Sequence, residues 1–305
     1  MQYRFYTADV FTNQRFGGNQ LAVFPDATGL SPELMAQIAR EFNLSETVFV
    51  FPPDDPAHTR RLRIFTPGME LPFAGHPTIG AAYVLAATGA IPTQAAETRI
   101  IFEEGVGPVP VSIFGVAGEP KSAILTAAQL PEFGPPAPDT DALAALLSLE
   151  AADFLTGAYA PQAVSCGVPF LFVPVRDRVT LARVRLNREQ WASLLAGWWA
   201  PHVYVLTFDP GRPDCDLRAR MFAPAMNIVE DPATGAAAAA LAGYLGSRET
   251  ETTGTFRWLV EQGIEMGRPS LLEVEADKVD GTFTAVRVGG ASVLVSEGYM
   301  DVGTG

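Results

Sequence analysis

Cysteine and histidine are scarce in this chain, with two of the first and three of the second in 305 residues. Cys166 and Cys215 stand far apart and form no CxxC, which excludes a disulfide framework and a thiolate zinc site. His58, His76 and His202 are too few for a histidine-rich metal site, and no HExxH occurs, so no metal is expected. Basic runs are missing from a chain of formal net charge −13. Nucleic acid and anionic membrane surfaces are therefore poor partners, and the acidity reads as a source of solubility. No apolar stretch approaches the roughly 20 residues that cross a bilayer. The run 235–245 is apolar but short and mostly alanine. The opening Met1-Gln2-Tyr3-Arg4-Phe5 reads as a strand, not as a signal peptide, and a reducing cytoplasm is the expected location. No GxGxxG follows a strand, and Walker A and Gly-x-Ser-x-Gly are absent. Nucleotide phosphates have no cradle and a serine hydrolase no nucleophile elbow.

What is present is a large apolar fraction and a repeat. Hydrophobic residues make up 48% and charged residues 18%, enough for a sizeable core and against a disordered chain. Residues 63–69 read R-I-F-T-P-G-M and residues 220–226 read R-M-F-A-P-A-M. Downstream, His76-Pro77-Thr78-Ile79-Gly80-Ala81-Ala82 matches Asp231-Pro232-Ala233-Thr234-Gly235-Ala236-Ala237 through a shared P-x-x-G-A-A. Further on, Arg99-x-x-Phe102-Glu103-Glu104-Gly105 lines up with Arg257-x-x-Val260-Glu261-Gln262-Gly263. On this match His76 and Asp231 are equivalent positions with different chemistry, which points to a site built between two related halves.

Each half has one helix apolar on nearly every face, about 78–88 and 234–246, which must be buried on all sides. Strands expected at 3–9, 21–25, 47–51, 61–66, 98–102 and 109–114 surround the first. Those at 169–175, 203–209, 217–222, 256–260 and 271–275 surround the second. Ser31-Pro32-Glu33 opens a further helix, with serine at the N-cap and proline in the first turn. The fold class is thus α+β, two pseudo-symmetric halves, each a curled sheet around a central helix. The halves are expected at 1–118, with a last strand 292–302 possible there too, and 119–305. Pro135-Pro136-Ala137-Pro138 is the expected linker.

Three ionisable groups are candidates for chemistry. His76 lies between Gly75 and Pro77 ahead of a buried helix, where a substrate carboxylate would meet unpaired N–H groups. It also suits a plain cap. Asp231 suits an ordinary N-cap, and Glu230 beside it crowds two carboxylates at one helix start. Glu46 in Leu44-Ser45-Glu46-Thr47 reads by itself as a solvated loop acid. Cys166 reads as a buried inert thiol.

Several motifs together give these residues a context. Phe16-Gly17-Gly18-Asn19-Gln20-Leu21-Ala22-Val23-Phe24, Leu44-Ser45-Glu46-Thr47-Val48-Phe49, Ala74-Gly75-His76-Pro77-Thr78 and Glu230-Asp231-Pro232-Ala233-Thr234-Gly235 resemble the PhzF family of phenazine biosynthesis. The resemblance covers nearly the whole chain. It implies the diaminopimelate epimerase fold, with an active site in the cleft between halves. It also implies an isomerase that shifts a proton on a small carboxylate-bearing molecule, as the namesake does on trans-2,3-dihydro-3-hydroxyanthranilate, without cofactor or metal. A homodimer is implied as well. The family's catalytic glutamate, histidine and aspartate map to Glu46, His76 and Asp231. Substrate contacts are expected from Asn19, Gly75, Thr78, Thr234, Gly235 and Ala236. At two positions the chain departs from the family pattern: Ala236 stands where a serine is usual, and Gln20 where a proline is usual. Two other readings compete: a thiol amino-acid racemase or epimerase, for which the helix starts lack cysteine, and a non-catalytic binding protein that keeps the fold.

Overall fold

The computed structural model describes residues 1–93 and 96–303. The chain divides into two compact units, Met1–Thr126 with the chain from Gly289 on, and Ala127–Val288. The first contains β1 (Gln2–Val10), β2 (Asn19–Phe24), α1 (Pro32–Phe42), β3 (Glu46–Phe51), β4 (Arg60–Phe65), β5 (Glu70–Leu71), α2 (Gly75–Ala87), β6 (Glu97–Glu104), β7 (Gly107–Val116) and β8 (Glu119–Thr126). The second contains β9 (Glu132–Pro136), α3 (Thr140–Leu147), β10 (Gln162–Ser165), β11 (Pro169–Pro174), α4 (Arg178–Arg183), α5 (Arg188–Leu194), β12 (His202–Thr207), β13 (Leu217–Ala223), β14 (Ile228–Asp231), α6 (Gly235–Gly246), β15 (Gly254–Gln262) and β16 (Ser270–Val279). The last strand, β17 (Thr282–Asp301), starts in the second unit and ends in the first.

In the first unit β1 pairs antiparallel with β2 and with the end of β17. β2 runs parallel to β3, β3 antiparallel to β4, β4 parallel to β6, and β6, β7 and β8 form a meander. This sheet curls around α2, which packs against β1, β2, β3, β7 and β8. The helix can be enclosed because its residues are small and apolar: from Gly75 to Ala86 every one but Tyr83 is buried. At Gly80 a Cβ would lie 2.5 Å from Leu21 Cδ2 and 2.6 Å from Val10 Cγ2, so glycine sets how close the helix comes to the sheet. The amphipathic α1 covers the other face. Ser31 Oγ accepts from Leu34 N at its start, and Asn43 closes its end with φ 50°. Met35, Ile38 and Ala39 pack there on Phe24, Phe49 and Phe65. Val48 and Val50 flank Phe49 and point to the opposite face of the sheet.

The second unit repeats the order. β11 runs parallel to β12, β12 antiparallel to β13, β13 parallel to β15, and β15 antiparallel to β16. α6 packs against β10, β11 and β16 and is buried throughout except at Ala236. The helices α3, α4 and α5 add a separate core of Leu143, Leu146, Leu147, Leu181, Val184 and Leu195 against Val203 and Val205.

Three sequence expectations change. α2 begins at Gly75, not at Thr78, because a proline in the first turn has no N–H that the helix would use. The proline-rich linker is in part a strand: Pro135 and Pro136 close β9, which pairs with β10 through Gln162↔Pro136 and Val164↔Phe133. Proline fits there because β9 ends at it. The three helices between 140 and 195 have no counterpart in the sequence reading.

Candidate active site

Glu46, Gly75, His76, Asn19 and Gln20 all sit at the starts of elements in the first unit, and the fold gathers these starts. Glu46 opens β3 beside Leu21 of β2, and His76 is the second residue of α2. His76 Nε2 lies 3.5 Å from Glu46 Oε2, and the two side chains are only 6% and 12% exposed. The other ring nitrogen bonds the backbone of Gln20. Burial pulls the imidazole down to about 3, the Gln20 bond opposing only in part, so the ring is neutral at any ordinary pH. With its proton committed to the Gln20 carbonyl, the ring turns a lone pair on Nε2 toward Glu46. Among the described residues that nitrogen makes no hydrogen bond. Ser45 Oγ donates to Oδ1 of the buried Asn19 at 3.4 Å, tying the residue before Glu46 to the start of β2.

Thr78 is fully buried and its hydroxyl is used within the protein. Oγ1 lies 2.8 Å from the carbonyl oxygen of Ala74 and 2.6 Å from Glu104 Oε1. Glu104, the last residue of β6, is pushed up to about 8 by burial, with Thr78 opposing.

In the second unit Asp231 ends β14 and is buried. Thr234 Oγ1 donates to its Oδ2 at 2.6 Å. Gln262, the last residue of β15, donates from Nε2 to the Asp231 carbonyl at 2.8 Å and to Thr234 Oγ1 at 3.1 Å. Its Oε1 accepts from Tyr204 OH at 3.1 Å. Gly235 and Ala236 are the first two residues of α6, with Thr234 its N-cap. The crowding expected between Glu230 and Asp231 is relieved, since Glu230 takes a bidentate pair from Arg220 Nε and Nη2, both at 2.8 Å.

That pair corrects the repeat. Arg63 makes the same bidentate contact to Glu70, both bonds 2.7 Å, and each arginine lies over the phenylalanine two residues on, Phe65 or Phe222. Ile64 pairs with Leu71 in the first unit, and its counterpart Met221 pairs with Asp231 in the second. Asp231 therefore corresponds to Leu71. His76, second in α2, corresponds to Ala236, second in α6. The second copy holds three more residues between its methionine and its glutamate, and the P-x-x-G-A-A match concealed this gap. Glu104 and Gln262 remain equivalent, and the alignment of Glu104-Gly105 with Gln262-Gly263 is the sequence signal that marks both.

Neither cysteine is reactive by environment. Cys166 is pushed up to about 12 by burial and Cys215 up to about 11. Among the described residues no group of three or more His, Cys, Asp or Glu could hold a metal ion, and no helix is long and apolar enough to cross a membrane.

The sequence model of the PhzC-PhzF family, described as phenazine biosynthesis-like protein, matches residues 8–298. An uncharacterized isomerase of Mesorhizobium japonicum is 39% identical, over 98% of this chain and 99% of its own. The trans-2,3-dihydro-3-hydroxyanthranilate isomerase of Pseudomonas aeruginosa is 33% identical, over 97% and 98%. The crystal structure of a PhzF-family phenazine biosynthesis protein from Bacillus anthracis superposes with a TM-score of 0.89 at 25% identity, covering 99% of this chain and all of that one.

Proposed function

The chain belongs to the PhzC-PhzF family of phenazine biosynthesis-like proteins, and on that premise we propose that it is a cofactor-independent isomerase of a small carboxylate-bearing molecule. Glu46 takes a proton from one carbon and returns it to another. The observation that carries this reading is the Glu46–His76 pair, an acid facing the bare nitrogen of a neutral imidazole in a nearly dry setting.

The chemistry follows from the proton count. A neutral imidazole adds no positive charge beside Glu46, so the pair holds either no mobile proton or one. Without it, Glu46 is a carboxylate and a base toward an activated C–H. With it, the acid form donates to His76 Nε2 and can give the proton back at a second carbon. His76 orients the carboxyl and receives its hydrogen bond. Burial favours the neutral ring, and no imidazolium role is assigned to it. Substrate carboxylate is assigned to the first turn of α2, beside the Glu46–His76 pair, where helix geometry leaves N–H groups without an intrahelical acceptor. Asp231 is assigned a positioning role, with Thr234 and Gln262 fixing it. Methyl-bearing Ala236 in place of a hydroxyl predicts a substrate lacking one hydrogen-bonding group at that contact.

The thiol racemase reading loses support, since the second positions of α2 and α6 carry His76 and Ala236. The test is turnover of trans-2,3-dihydro-3-hydroxyanthranilate and a panel of small cyclic and acyclic acids, followed by NMR in D2O. The wild type should place deuterium on carbon in at least one of them, and Glu46→Gln should not. Equal exchange by Glu46→Gln, or exchange confined to amino-acid α-carbons, would overturn the reading.

A further inference from the structure

Glu104 is a buried carboxyl that the proposed chemistry does not use. It ends β6, is 9% exposed, and lies beneath the first turn of α2. We infer that Glu104 is carried as the neutral acid and is a positioning residue, donating its proton to Thr78 and so fixing the turn that holds His76 against Glu46. Its relevance to catalysis rests on the isomerase reading, whereas its protonation state does not.

Counting protons leads there. Thr78 Oγ1 has one hydrogen and two close oxygens, the Ala74 carbonyl at 2.8 Å and Glu104 Oε1 at 2.6 Å. A backbone carbonyl can only accept. Once the hydroxyl donates to Ala74, the short contact to Glu104 needs a hydrogen from the carboxyl. The second unit supplies a chemical parallel. Gln262 occupies the equivalent place at the end of β15, and its amide N–H donates at 3.1 Å to the hydroxyl of Thr234, the N-cap of α6 and counterpart of Ala74, while that hydroxyl donates to Asp231. An amide and a protonated carboxyl have the same shape and both offer a donor. A carboxylate does not.

Neighbouring charges leave this assignment standing. The hollow of about 550 Å³ beside Glu104 is shared with Asp54, Arg61, Arg63, Glu70 and Glu103. Arg61 faces Asp54 at 3.6 Å, Arg63 is spent on Glu70, and Glu103 accepts from the backbone of Asp54 and Asp55 and contacts His58. Among the described residues Glu104 has no ion-pair partner, and Glu104 Oε2 has no hydrogen bond. His76, on the same turn as Thr78, is neutral and brings no net charge near Glu104. Desolvation is left as the main influence, and it raises Glu104 to about 8.

The test is infrared difference spectroscopy of the intact protein, wild type against Glu104→Gln, together with pH profiles of the exchange reaction. The wild type should show a protonated-carboxyl band at pH 6 that disappears above pH 8 and is missing from Glu104→Gln. Glu104→Gln should retain activity and lack the fall in kcat above pH 8. Glu104→Ala should lose about tenfold in kcat, the equivalent of one net hydrogen bond. A carboxylate band from Glu104 at pH 6 would overturn the protonation state whatever the activity is. A loss in Glu104→Gln as large as in Glu104→Ala would overturn the positioning role. Failure of Glu46→Gln to lose activity would instead remove the isomerase reading and leave the infrared result intact.

Discussion

Replacing Glu230 by glutamine should cost far more stability than the same change at Glu70, although both acids hold the arginine of one repeated motif. The difference lies in burial. Arg220 and Glu230 have side chains 5% and 15% exposed, against 24% and 41% for Arg63 and Glu70. Removing one partner of a buried pair strands a charge and costs about 3–5 kcal/mol. An exposed pair is worth about 0.2–1 kcal/mol. Arg220 adds to the disparity because Nη1 also donates to the carbonyls of Leu181 and Val184, each at 3.0 Å, linking α4 to β13. Glu230→Gln keeps the shape of the side chain and removes only its charge, so the loss reads electrostatics and not a cavity. Guanidinium unfolding is the assay. All four tryptophans, 191, 198, 199 and 258, lie in the second unit, so their fluorescence reports the unit that holds Glu230. Circular dichroism reads Glu70→Gln. Exchanging both Arg220 and Glu230 for apolar residues should recover only part of the loss, since the Leu181 and Val184 carbonyls then lack a donor. Glu230→Gln should also lower activity, because Asp231 is the next residue in β14. Equal costs at 230 and 70 would refute the reasoning.

The remaining predictions concern protonation and packing. Activity followed by exchange should show no histidine titration near pH 6.5 on the acid side, because burial keeps His76 neutral to about 3; an acid limb there that vanishes in His76→Gln would contradict this. The folded value of Glu104 lies above its unfolded one, so the protein loses stability as pH rises from 4.5 to about 8. Glu104→Gln should escape that loss, which is of order 3 kcal/mol at pH 7, and its advantage in thermal unfolding should grow with pH over that window. Gly80→Ala gains about 1 kcal/mol of helix propensity but loses about 1–3 to overpacking. Its Cβ would stand 2.5 Å from Leu21 Cδ2, so a net loss in chemical denaturation is expected and a net gain would contradict the packing account.

Much of the fold is legible in the residues. The two helices that are apolar on every face, the strands around them and the capped α1 all follow from local pattern, because burial on all sides and one-sided burial leave different periodicities. The helices α3 to α5 are not legible in the same way. They are short, six to eight residues each, too few turns to display a period, and what they bury is the face of β11 and β12 that carries Leu171, Val173, Val203 and Val205. The site divides similarly. His76 and Asp231 stand out by their place beside helix starts, whereas Glu46 has no local signature and is found only through the family resemblance. The matching of His76 with Asp231 fails because a similar P-x-x-G-A-A recurs in a different register, and only strand pairing through Leu71 and Asp231 shows the gap. What makes Glu104 unusual does not show locally: it is a contact with Thr78, twenty-six residues earlier in the chain.

That Glu46 itself carries the proton between two carbons is tested most directly by isotope transfer. The acid that turns over is labelled with deuterium at the carbon that loses hydrogen and converted in ordinary water under single-turnover conditions. A nearly buried Glu46, 12% exposed, should hand part of the label to the second carbon before solvent removes it. Mass spectrometry should therefore find product retaining deuterium at the new position, and none formed by Glu46→Gln. Complete loss of label in every turnover of the wild type, or retained label in the Glu46→Gln product, would contradict the account.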